Sequence, residues 1–245
     1  MEALVNDWRA KWHDRTYGGT NSSFPFGWVQ LDANGMAPSK IYTEDGAANN
    51  TPSHGDPVGE WHAGFSGVRA AQTATLLAVA NTFQAVSLDT PAINGWVHSP
   101  FKQPVGARLA RGALSVAYGM PGLTAPLTAT ATAPTAEGQL TVTVHGAEAQ
   151  PVHLVVRSAL GFEVLGGDQV WRWAPILLTD TTAAAVVLGN ASGAIAVRYL
   201  WYTAPCTQTP YRCPIYATVE ALPGRLSGEE DFVPLGPFIQ NLSVS

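Results

Sequence analysis

Charge is scarce in this chain. Lys, Arg, Asp and Glu make up 13% of the 245 residues and the net charge is -5, so no basic surface is available to hold a nucleic acid or an anionic membrane. Apolar runs such as Thr75-Leu76-Leu77-Ala78-Val79-Ala80 are far shorter than the roughly 20 residues that cross a bilayer. The chain also lacks an opening charged stub followed by a hydrophobic signal core. Met1 to Arg9 reads instead as an amphipathic helix with Leu4, Val5, Trp8 and Trp12 on one face. It is therefore expected to begin inside a folded domain.

Cysteine is nearly absent as well. Cys206 and Cys213 flank a turn-rich Thr-Gln-Thr-Pro-Tyr stretch, too few ligands for a metal site. They read as a local disulfide or as two structural thiols, and the disulfide implies an oxidising compartment. Four glycosylation sequons agree with that compartment: they begin at Asn21, Asn49, Asn190 and Asn241, where about one is expected by chance. Secretory or lysosomal residence is the expectation.

The texture changes near residue 120. Residues 1–120 offer the opening helix, a Gly/Pro/Asn-rich middle from Tyr17 to Gly67, a helical stretch from Val68 to Ala80, a strand from Phe83 to Leu88, and a helix from Pro104 to Tyr118. In that last helix Val105, Leu109, Ala113, Val116 and Ala117 recur at helical spacing, and Gly119 stands where a left-handed cap would end it. Residues 121–245 read as short Thr/Val-rich strands separated by turns, from Ala125 to Val144, Pro151 to Leu160, Ala183 to Leu188 and Ala194 to Thr203. The expectation is an α/β domain followed by an all-β sandwich or roll.

A serine esterase needs a nucleophilic hydroxyl, a histidine base, a carboxylate that orients it, and oxyanion donors. His98 lies on a loop after a strand, where α/β folds bind ligands; a plain surface histidine is the alternative. Asp89, nine residues upstream, is either the orienting carboxylate or a turn starter in Leu88-Asp89-Thr90-Pro91. No serine fits the nucleophile. Gly64-Phe65-Ser66-Gly67-Val68 has Val where an elbow needs its second glycine, and Ser66 reads as a helix N-cap. His54, Asp56, Glu60 and His62 are zinc-type ligands, but their spacing matches no common site.

Several blocks in order resemble the sialate O-acetylesterases: Val5-Asn6-Asp7-Trp8-Arg9, Phe24-Pro25-Phe26-Gly27-Trp28-Val29-Gln30-Leu31, Val68-Arg69-Ala70-Ala71-Gln72-Thr73, Asn81 to Asp89, and His98-Ser99-Pro100-Phe101-Lys102-Gln103 through to Gly119. Val197-Arg198-Tyr199-Leu200-Trp201, Cys213-Pro214-Ile215-Tyr216 and Gly236-Pro237-Phe238-Ile239 continue the likeness. It runs from about residue 2 to about residue 240.

The resemblance implies an SGNH-type hydrolase, a flavodoxin-like α/β domain joined to β-sandwich elements, that removes O-acetyl groups from sialic acids without metal or cofactor. It makes His98 the base, Asp89 a carboxylate partner, and Arg69 and Gln72 substrate-side contacts or helix-surface structural residues. Many SGNH enzymes place an Asp three residues before the His, where this chain has Gly95. The family's Gly-Gln-Ser-Asn-type nucleophile motif has no counterpart here, so an N-terminal complementing segment is expected to supply it. The competing readings are a carbohydrate-binding module built on Trp171, Trp173, Trp201 and Tyr202, and an inactive fragment.

Overall fold

Glu2–Arg15 winds into α1, which buries only Val5 and Arg9. Val5 packs with Trp28 and Val79 in a small apolar cluster. The Arg9 guanidinium donates to the carbonyls of Phe24, Ala80 and Asn81 at 2.8–3.1 Å, so one side chain ties α1 to the entrances of two strands. Those strands, β1 (Phe26–Val29) and β2 (Thr82–Ala85), pair in parallel, Phe26 opposite Thr82 and Val29 opposite Ala85. Between them runs α2 (Trp61–Ala78), and after them α3 (Lys102–Tyr118). The computed structural model describes residues 1–35, 61–120, 127–146, 152–207, 209–218 and 232–243.

Phe83 explains two glycines. A Cβ on Gly27 would meet its ring at 2.1 Å and one on Gly112 of α3 would meet it at 2.6 Å. The bare backbones of strand and helix let the ring lie between them. Gly112→Ala is expected to cost about 1–3 kcal/mol through overpacking, read as a lower midpoint in urea denaturation with the slope unchanged. At the far end of α3, Gly119 takes φ 65°, and backbone N–H groups of Gly119 and Met120 close on Ser115 and Leu114. This is the left-handed cap expected from the sequence.

Two expectations shift. The Gly/Pro/Asn-rich middle contains β1, a strand of four residues that exists because β2 pairs with it. Helix α2 begins at Trp61, seven residues before Val68. Ser66 is therefore inside the helix and fully buried, not at its cap.

The rest of the described chain is antiparallel. Strands β3 (Thr128–Ala131), β4 (Leu140–His145), β5 (His153–Val156), β6 (Phe162–Gly166), β7 (Trp171–Trp173), β8 (Ile176–Asp180), β9 (Ala185–Leu188), β10 (Ala194–Tyr199), β11 (Ile215–Thr218), β12 (Phe232–Pro234) and β13 (Phe238–Asn241) form three sheets. Their orders are β3-β4-β9-β8, β13-β10-β6-β7 and β12-β11-β5. In β4 the alternation is strict, with Leu140, Val142 and Val144 buried and the intervening residues half-buried, as a strand covered on one face requires. Those residues meet Phe162, Val164, Val197 and Tyr199 of the second sheet, Ile215 and Tyr216 of the third, and Val86 and Leu88 from beyond β2 in one core. The loop after β2 is thus seated on the β sheets. Among the described residues no helix is long and apolar enough to cross a membrane.

Candidate functional site

Ligands of parallel α/β sheets bind beyond the C-terminal ends of the strands. Here that rim consists of residues 30–35 after β1 and 86–101 after β2, and the two segments touch: the Gly35 N–H donates to the Gly95 carbonyl at 2.6 Å. Gly95 has φ 78°, a left-handed conformation that glycine adopts without steric cost.

His98 stands exposed on this rim and is reached through an anchored path. The Thr90 hydroxyl donates to the Ser87 carbonyl at 2.8 Å, the Gly95 N–H to the Ala92 carbonyl at 2.9 Å, and the Phe101 N–H to the buried Ser99 hydroxyl at 3.1 Å. Beside it, Pro100, Phe101, Lys102, Gln103, Pro104 and Tyr211 line a recess of about 250 Å³.

Asp89 meets a different partner from the one expected. It is wholly buried, and both carboxylate oxygens accept from Arg108 of α3, at 2.6 and 2.7 Å. The Tyr216 hydroxyl adds a third bond at 3.2 Å, and the Tyr211 N–H donates to the Asp89 carbonyl at 2.7 Å. Burial, and then the Asp89 charge, hold the Tyr216 phenol above its ordinary range, so it stays protonated and donates. No hydrogen bond joins Asp89 to His98. Asp89 fixes the start of the loop whose far end bears the histidine.

Arg69 and Gln72 close the rim from α2. The buried Arg69 guanidinium donates to the carbonyls of Leu31, Asp32, Tyr202 and Thr203 at 2.7–2.9 Å. Gln72 accepts from the Leu31 N–H at 2.9 Å and donates to the Val29 carbonyl at 3.2 Å, standing in for a neighbouring strand. Both hold backbone, the structural side of the two roles their motif suggests.

Asp32 is a rim residue that sequence reasoning passed over, because it follows a strand hidden in a turn-rich segment. Burial pushes its carboxyl up to about 6, with the nearby charges of Arg69 and Lys102 pulling the other way. A carboxyl with a higher pKa folded than unfolded favours the folded state only while protonated. That contribution is present at acid pH and is lost as pH rises from about 4 through about 6. Asp32→Asn is therefore expected to raise stability by about 1–2 kcal/mol near pH 7.5 and to leave it almost unchanged near pH 4. Denaturation of both proteins at the two pH values checks this.

Cys206 and Cys213 form a disulfide. It braces the loop that presents Tyr211 to Asp89 and to the recess. Of the aromatic residues considered for sugar stacking, Trp171 lies under the Arg198 guanidinium at 4.1 Å, and Tyr202 is buried and donates to Glu163 at 2.7 Å. Arg198 also pairs with Glu163 at 2.7 Å. Tyr202 is thus turned into the interior, and the half-buried Trp171 packs on Arg198 at the edge of its sheet. Asn21, Asn190 and Asn241 are exposed, and the side-chain Oδ1 of Asn21 accepts from both the N–H and the hydroxyl of Ser23 at 2.8 and 2.9 Å. Asn49 and the His54, Asp56, Glu60 set lie outside the described residues, as does the His62 side chain; among the described residues no group of three or more metal-type ligands occurs.

Residues 130–225 match the model of the sialate O-acetylesterase C-terminal domain. Sialate O-acetylesterase of Mus musculus is 30% identical over 90% of this chain, and that of Homo sapiens is 31% identical over the same share. The chain is similar to the C-terminal part of the sialate O-acetylesterases. It spans 38% of the mouse protein and 40% of the human one. A crystal structure of a carbohydrate acetylesterase from Xanthomonas citri shares the fold, with TM-score 0.63 at 23% identity over 98% of this chain and 44% of that one.

Besides the shared apolar core, two buried arginines tie the parallel strand pair and the rim to the antiparallel sheets. Arg69 reaches from α2 to the turn after β10, and Arg108 reaches from α3 to the Val86 and Phe232 carbonyls.

Proposed function

We propose that this chain is the base-bearing part of an esterase that hydrolyses O-acetyl groups on sialic acids, with His98 as the general base. The observation that carries the reading is the placement of an exposed histidine, without a hydrogen-bond partner among the described residues, on the rim beyond two parallel strands. The names of its relatives supply the substrate class.

In this reading β1, β2 and the three helices are part of a flavodoxin-like SGNH domain, with the division from the β sheets near residue 120. A serine hydroxyl from an N-terminal complementing segment attacks the acetyl carbonyl while His98 takes its proton. The ester C–O bond breaks, the sugar oxygen leaves with that proton, and an acetyl-serine remains. Water, deprotonated by the same histidine, then releases acetate and returns the serine. Asp89 acts as a positioning residue: its bonds to Arg108 and Tyr216 hold one end of the histidine loop. Maturation in the secretory pathway or the lysosome accords with the disulfide and with the exposed sequons at Asn21, Asn190 and Asn241.

The test is hydrolysis of O-acetylated sialic acid by the 245-residue chain alone and by the chain co-expressed with the part of the mouse relative that it does not match. Acetate release only from the pair supports the reading. Turnover by the chain alone that survives His98→Ala defeats it.

A further inference from the structure

Tyr211 is held in place by more of the molecule than a loop residue needs. Its φ is 61°, in the left-handed region that bulky side chains rarely enter, and such conformations persist where the surroundings fix them. Three anchors do so here. The disulfide between Cys206 and Cys213 closes the loop that contains it. Its N–H donates to the Asp89 carbonyl at 2.7 Å, which ties it to the start of the loop that carries His98. Its carbonyl accepts from the Arg157 guanidinium, which is itself stacked over the rings of Tyr216 and Phe232 at 4.4 and 4.8 Å.

The backbone of Tyr211 is thus committed to the scaffold, and its half-buried side chain is the part left to meet a ligand. It forms one wall of the recess of about 250 Å³ whose other lining residues, Pro100 to Pro104, begin two positions beyond His98. That volume lies just under the roughly 300 Å³ at which small-molecule pockets begin, so it suits one sugar ring and not an oligosaccharide. Tyr211, Phe101 and two prolines give it the apolar and aromatic walls, with few polar groups, that such pockets have. Lys102 is the cation in this lining; it is exposed and makes no ion pair among the described residues. A sugar acid complements these walls, with an apolar ring face for the tyrosine and a carboxylate for the ammonium.

We infer that this recess is the subsite for the sugar ring of the acetyl ester, with the Tyr211 ring against the face of the sugar and the Lys102 ammonium paired with the sialic acid carboxylate. The inference rests on the proposed function, because it takes the acetyl group to lie at His98, and it adds which residues hold the rest of the substrate. The antiparallel part of the chain then acts on specificity directly, through a side chain that its disulfide loop delivers to the rim.

The experiment uses the chain co-expressed with the unmatched part of the mouse relative and two acetyl esters, O-acetylated sialic acid and 4-nitrophenyl acetate, which carries no sugar. Tyr211→Ala is expected to raise KM for the sialic acid ester about tenfold relative to KM for 4-nitrophenyl acetate, and Tyr211→Phe is expected to restore the ratio. Lys102→Gln, a change at an exposed position that keeps the test open if Tyr211→Ala unfolds, is expected to abolish a preference of about fivefold for the free acid over its methyl ester. A merely structural role for Tyr211 would move both esters alike and overturns the inference, as does a KM ratio that Tyr211→Ala leaves unchanged. Equal use of acid and methyl ester by the parent overturns the charge pairing. Saturation-transfer NMR of the same proteins with sialic acid reads binding without turnover: transfer to the sugar is expected with the parent and with Tyr211→Phe, and its loss with Tyr211→Ala. If neither ester is hydrolysed and transfer still depends on Tyr211, the His98 reading falls and the subsite stands. No transfer from the parent overturns the subsite, whatever the kinetics show.

Discussion

Arg108→Met is expected to destabilise the chain by about 3–5 kcal/mol. The guanidinium is 1% exposed, and its partner Asp89 is fully buried. Removing the cation leaves a carboxylate with one phenol, Tyr216, to solvate it, and the carbonyls of Val86 and Phe232 lose a donor. Breaking one side of a buried pair costs more than replacing both, because an uncompensated charge remains. The double variant Asp89→Leu/Arg108→Met should therefore be less destabilised than the sum of the two single changes. Urea denaturation of the three proteins and the parent gives the cycle. A loss below about 1 kcal/mol for Arg108→Met would mean that the ion pair does not hold the loop.

His98→Ala, in the pair that includes the complementing segment, is expected to lower kcat by about 10²- to 10⁴-fold with KM changed little. The side chain is exposed and makes no hydrogen bond among the described residues, so its loss should leave folding intact, and a stability change within about 0.5 kcal/mol is the accompanying expectation. This separates it from Asp89 and Arg108, whose substitution should lower stability and activity together. Steady-state kinetics beside thermal denaturation distinguishes the two patterns. If His98→Ala retains full turnover, the base lies elsewhere.

The helices were legible where periodicity and caps coincide. The left-handed Gly119 closes α3 where it was expected, but of the residues read as its apolar face only Val105 is buried, and the buried face is carried by Ala107, Arg108, Arg111 and Gly112. Strand β1 was not legible, since Phe26-Gly27-Trp28-Val29 is short, lies among turn residues, and becomes a strand only through pairing with β2 fifty-six residues later. Helix α2 extends back through Gly64 and Gly67, two residues that argue locally against a helix. At the site, the position of His98 on a post-strand loop could be read from spacing alone. The Arg108 that takes Asp89 could not, because it comes nineteen residues later and from another element. Arg69 and Gln72 stood out as a motif, yet only the structure shows their polar groups turned onto the backbone at Val29, Leu31 and Tyr202.

The most direct measurement treats the pair of polypeptides with a serine-reactive fluorophosphonate and reads the intact mass of each. The account predicts one adduct on the complementing segment, formed slowly or not at all with His98→Ala, and none on the 245-residue chain. An adduct on this chain, at Ser66 or any other serine, would contradict it.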